Sequence, residues 1–133
     1  MIFVDTGAFI ARYIERDQFH SDAVRYWKKL EQDNTPLWTS NFVLDEVFTL
    51  LGRIAGNRFA IDRSQAIFNS TILTILRPDL EIEQNALTPF RKYADQNISF
   101  TDCVSFVLMK KHHIQDVFTF DNHFHLAGFK VHP

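Results

Sequence analysis

Short apolar runs rich in β-branched and aromatic residues recur along this chain, and most are followed by longer segments whose apolar residues return every three to four positions. A strand period that repeatedly gives way to a helix period leaves few architectures open. It predicts parallel strands joined by crossover helices, an α/β domain with a mainly parallel sheet. Ile2 to Val4 reads as the first strand, ending at Asp5, and Thr6 to Ile14 then places Phe9, Ile10, Tyr13 and Ile14 at helical spacing. A second helix is predicted from Ser21 to Asp33, closed by the turn-forming Asp33-Asn34-Thr35-Pro36, with Leu37 to Thr39 as the next strand. Asn41 to Ala55 is the longest helix, Gly56 its stop, and a further helix follows near Phe59 to Ser70. Ile72 to Leu76 is a strand and Ile82 to Ala94 a helix; Thr101 is the expected N-cap of an almost uniformly apolar, deeply buried helix through Met109. Val117 to Phe120, a helical turn from Asn122 to Leu126 and an edge strand from Phe129 to Val131 complete the chain.

With 133 residues, 46% of them hydrophobic, the chain is long enough for one sizeable core and too short for two, so a single domain over residues 1–133 is expected. The formal charge of −2 excludes a protein that holds nucleic acid by overall basicity; any such affinity has to come from local patches or bound metal. One cysteine, Cys103, cannot form an internal disulfide and suits a reducing, cytoplasmic setting. No basic region precedes the first apolar run, and no apolar stretch reaches the roughly 20 residues that cross a bilayer, so neither a signal peptide nor a membrane association is expected.

In open parallel sheets, ligands bind beyond the carboxyl ends of the strands, which makes acids just after strands the better site candidates. Asp5 and Asp121 both stand there. Asp102 falls in the first turn of the apolar helix, where the macrodipole favours a carboxylate. Glu46 separates from Asp45 by geometry: on the stripe Val43, Val47, Leu50, Leu51 and Ile54, Glu46 lies roughly 70° from the centre and Asp45 on nearly the opposite side. Four such acids converging within about 5 Å would cost roughly 3 kcal/mol per like-charged pair at an effective dielectric near 20. A hard divalent cation, Mg²⁺ or Mn²⁺, relieves that repulsion, selects all-oxygen ligands and activates water against a phosphodiester. Each acid alone has an ordinary structural reading as a helix cap or turn former; only jointly do they point to a metal site.

The remaining polar residues read as structure. The six histidines lack the Cys companions or HExxH spacing of a zinc site and are expected on the surface. Cys103 reads as core, Asp116 as a strand edge, and basic residues such as Arg53, Arg63 and Lys110 as solvated faces. Thr6 and Ser40 stand where a hydroxyl can bond a ligand or water. Gly-rich phosphate loops, Ser nucleophile elbows and dinucleotide fingerprints are absent. Two other readings stay open: a receiver-like domain phosphorylated on Asp5, which would want a lysine near a late strand, and a non-catalytic nucleic-acid-binding or scaffold module.

The segments IFVDTGAFIA, LDEVFTLL, SFTDCVSF and VFTFDNHFHLAGF, in this order over nearly the whole chain, resemble the PIN-domain ribonucleases, most closely the VapC-type toxins. The resemblance implies a three-layer α/β/α sandwich on a sheet of four to five strands. It places the family's acidic site on Asp5, Glu46, Asp102 and Asp121, with Thr6 and Thr101 as supporting hydroxyls. It further implies Mg²⁺- or Mn²⁺-dependent cleavage of RNA, a homodimer and a cognate antitoxin.

Overall fold

A computed structural model describes residues 1–133, the whole chain. Five strands, β1 (Ile2–Val4), β2 (Leu37–Ser40), β3 (Leu73–Leu76), β4 (Asp116–Phe118) and β5 (Lys130–His132), form one sheet in the order β3-β2-β1-β4-β5. Every pairing is parallel. The central strand β1 is buried at all three positions, whereas the edge strands β3 and β5 are only half covered. That gradient explains the β-branched and aromatic residues of β1 and the polar tolerance at Thr74 and Lys130.

Helices α1 (Thr6–Tyr13) and α2 (His20–Gln32) connect β1 to β2, and α3 (Asn41–Ala55) and α4 (Asn57–Phe68) connect β2 to β3. The chain then reverses direction across the sheet through α5 (Leu80–Lys92), a short 3₁₀ turn at Ala94–Gln96 and α6 (Phe100–Lys111), before α7 (His123–Leu126) links β4 to β5. Right-handed crossovers running in opposite directions put the two helix groups on opposite faces, which is the three-layer sandwich. Side-chain contacts agree with it. Phe118 of β4 meets the rings of Tyr26 and Trp27 of α2 at 4.8 and 5.8 Å, while Trp38 of β2 meets His112, just past α6, at 5.4 Å. Thirty buried apolar residues make one continuous core.

Local chemistry sets the boundaries and moves several from where periodicity alone put them. α6 is capped by Ser99, whose hydroxyl accepts from the Asp102 N–H at 3.1 Å, so Thr101 is not the N-cap but a first-turn residue of the helix. Asp79 caps α5 in the same way, accepting from Ile82 N at 3.0 Å, which starts that helix two residues early. Gly56 joins α3 to α4 at φ +91°, a conformation that excludes most side chains and lets the second helix follow at once. β4 stops at Phe118, short of the expected Phe120, leaving Thr119 free to turn its hydroxyl toward β1.

Candidate active site

The strand order reverses between β1 and β4, the switch point at which a crevice opens beyond the carboxyl ends of a parallel sheet. Asp5 follows β1 directly and Asp121 lies three residues beyond β4. A cleft of about 630 Å³ opens there, and all four predicted acids, Asp5, Glu46, Asp102 and Asp121, line it. No lysine or arginine does.

Each acid arrives by a different route. Asp5 occupies the N-cap position of α1, yet its side chain makes no capping hydrogen bond. Its Oδ2 instead accepts from the Thr119 hydroxyl at 2.9 Å, and the same hydroxyl oxygen accepts from the Asp121 N–H at 3.0 Å. One threonine thus ties the two strand-end acids together. Glu46 sits half-buried on α3 with Asp45 exposed beside it, as the apolar stripe requires. Asp102 is buried in the first turn of α6. Asp121 alone has a local structural task, its Oδ1 accepting from the His123 N–H at 2.9 Å.

The electrostatics are one-sided. Burial, reinforced by the charge of Asp102, pushes the Asp5 carboxyl from 3.8 up to about 7. Burial also raises Glu46, against the pull of the Thr101 hydroxyl, and Asp102, against its hydrogen bond from His123. In all three the loss of hydration is the larger cause and repulsion between the acids adds to it, so the mouth makes ionisation costly for its own carboxylates. Thr6 Oγ1, buried beside them, makes no hydrogen bond within the protein. An oxygen-rich mouth with an unpaired hydroxyl and no lysine or arginine fits a hard divalent cation bound with water.

Two residues of this site escape sequence reasoning. Thr119 was expected inside a strand. His123, expected on the surface with the other histidines, lies in the mouth, its Nδ1 3.1 Å from Asp102 Oδ2 and 3.0 Å from Asp121 Oδ2. The three side chains can offer ligand atoms within 4.8 Å of one another. The only advance signal was position: His123 stands two residues past an acid that itself follows a strand.

An open parallel sheet with acids gathered at its switch point defines a class, and the sequence profile of the PIN domain matches residues 2–130: the chain belongs to the PIN-domain family. Among its relatives, the 23S rRNA-specific endonuclease VapC20 of Mycobacterium tuberculosis is 36% identical over 129 residues, 97% of this chain and 95% of that protein. A VapC ribonuclease of Archaeoglobus fulgidus is 28% identical over 92% of this chain and 78% of its own length. The crystal structure of VapC20, described as a sarcin-ricin loop cleaving toxin, superposes with a TM-score of 0.85 over 97% of this chain and 96% of its own. FitAcB from Neisseria gonorrhoeae shares the fold, with a TM-score of 0.72 at 19% identity over 100% of this chain and 97% of that one.

Proposed function

We propose that this protein is a metal-dependent endoribonuclease of the VapC type, the toxin of a toxin–antitoxin pair. The reading rests on one observation: four carboxylates, from the end of β1, α3, α6 and the β4–α7 turn, line a single mouth that contains no lysine or arginine. Asp5, Glu46, Asp102 and Asp121 would hold Mg²⁺ or Mn²⁺, which supplies Lewis-acid stabilisation of phosphoryl charge and a more acidic water. The chain's own groups do the positioning. Thr119 fixes the Asp5 carboxylate and the Asp121 backbone in one hydrogen-bonded unit. Thr101 brings a hydroxyl toward Glu46, and Thr6 leaves its own unpaired in the mouth. A net charge of −2 and an acidic mouth repel phosphate, so RNA is held through the bound cation and through contacts that ignore charge. The parallel-stacked rings of Phe19 and Phe120, 4.6 Å apart on the cleft wall, offer a surface on which an unpaired base can stack.

Ribosomal RNA is the first substrate to test, because the VapC20 relative is named for it. A cognate antitoxin as inhibitor, a homodimer and a cytoplasmic location follow from the same reading; no helix is long and apolar enough to cross a membrane. The phosphoaspartate alternative loses its support, since the lysine it needs does not line the cleft. Purified protein incubated with ribosomal RNA should give discrete fragments with Mg²⁺ or Mn²⁺ and none with EDTA. Fragmentation unchanged by EDTA and by Asp5→Asn would remove the proposal.

A further inference from the structure

We infer that His123 is itself a metal ligand, so that the mouth offers a mixed nitrogen and oxygen donor set and prefers Mn²⁺ to Mg²⁺; this rests on the reading of the mouth as a divalent-cation site. Three observations carry it. First, His123 Nδ1 faces two carboxylate oxygens, Asp102 Oδ2 at 3.1 Å and Asp121 Oδ2 at 3.0 Å. Neighbouring ligands of an octahedral ion with bonds near 2.1 Å stand about 3.0 Å apart, so both edges already have the spacing of adjacent ligands around one ion. Second, the imidazole lone pair at Nδ1, in the tautomer protonated at Nε2, points where an N–H now would, toward these two acids. Third, the site holds an unspent polar group: Thr6 Oγ1, nine-tenths buried on the same cleft, has no partner in the protein.

The placement of His123 is built rather than incidental. Its backbone N–H donates to Asp121 Oδ1, fixing the turn from which the ring projects, and it opens α7, whose Phe124 is fully buried against Phe106 of α6 at 5.1 Å. Two anchors, one on each side of the residue, therefore hold the ring over the acids. An imidazole donor matters for selectivity. Mg²⁺ takes oxygen almost exclusively, whereas nitrogen suits first-row transition ions, so a site with His123 in it separates the two ions where an all-carboxylate site would not. No other histidine lines the cleft, which makes the assignment testable at one position.

The experiment loads metal-free protein with one equivalent of Mn²⁺ and records pulsed electron paramagnetic resonance, alongside calorimetric titrations with Mn²⁺ and with Mg²⁺. The expected result is a ¹⁴N coupling to the Mn²⁺ electron spin that changes to the ¹⁵N pattern when histidine is ¹⁵N-labelled and vanishes in His123→Gln. The variant should lose about tenfold in Mn²⁺ affinity and less than threefold in Mg²⁺ affinity, while circular dichroism confirms that it folds. Bound Mn²⁺ without histidine coupling in the unaltered protein overturns the inference and leaves the nuclease reading intact. Equal losses for both ions in His123→Gln overturn it too, by assigning the ring to holding the carboxylates. Failure to bind either ion overturns both readings.

Discussion

Two half-buried charged regions flank α1, and they solve the same electrostatic problem in opposite ways. In the groove between α1, α2 and the start of β3, about 420 Å³ in volume, Arg12 lies 4.1 Å over the Trp27 ring and 5.1 Å from that of Tyr13. Glu31 closes the circuit, accepting from Trp27 Nε1 at 2.9 Å and from Arg12 at 3.4 Å. One cation, one anion and two rings satisfy each other. In the mouth, five carboxylates, the four predicted ones and Asp17, meet one imidazole. Balanced burial of charge is a way to build a wall; unbalanced burial is a demand for a guest.

The largest expected effect comes from altering the unbalanced region. Asp5→Asn should lower RNA cleavage by about 1,000-fold, the equivalent of roughly 4 kcal/mol of lost transition-state stabilisation, measured as initial rate with saturating Mn²⁺. A loss under tenfold would place Asp5 outside the chemistry.

The second prediction concerns pH. A carboxyl at about 7 in the fold and 3.8 when unfolded keeps an extra proton on the native protein between those values. Its contribution to metal-free stability is therefore greatest below about pH 4, falls as pH rises to about 7, and is level above that. The span is on the order of 4 kcal/mol at most. Denaturant titrations in EDTA at pH 5 and pH 8 should show the decline, Asp5→Asn should flatten it, and added Mn²⁺ should offset it at pH 8. A metal-free protein more stable at pH 8 would contradict the burial of that charge.

Altering the balanced region should have the opposite signature. Arg12→Met removes the cation over Trp27 and leaves Glu31 with the indole N–H alone; the expected cost is about 1 to 2 kcal/mol in urea unfolding, with cleavage unchanged within twofold. A large loss of cleavage would join the two regions functionally.

The smallest effect separates them most finely. Because Thr6 Oγ1 has no protein partner, Thr6→Val should leave metal-free stability within about 0.5 kcal/mol while weakening metal binding, read by calorimetry. A loss of several kcal/mol in EDTA would mean that the hydroxyl serves the fold.

What the sequence made legible follows from the range of the interactions. Asp5 and Asp121 could be found because they end apolar runs, and Glu46 could be told from Asp45 because a 15-residue helix carries its own reference direction. Both are local facts. His123 meets Asp102 across 21 residues and Thr119 meets Asp5 across 114, distances at which periodicity says nothing about who faces whom. Ser99 and Thr101 are two hydroxyls two residues apart, each a competent cap, and only the observed bond from Asp102 N chooses Ser99. The strand ends drifted for a related reason. Val117 to Phe120 is uniformly β-favouring, but the strand ends at Phe118: Thr119 keeps one backbone bond to His132 while its hydroxyl bonds Asp5, and Phe120 stacks on Phe19.

The Thr119 clasp also orders events in time. Asp5 is synthesised 114 residues before the hydroxyl that orients it, and β4, the strand that covers its flank, directly precedes that hydroxyl. Until β4 is made and pairs beside β1, Asp5 lacks both its flanking strand and its clasp and Asp121 is not yet in the chain, so the four-acid mouth is completed late in synthesis. A chain ended before residue 116 lacks β4, Thr119 and Asp121 and is expected to cleave no RNA.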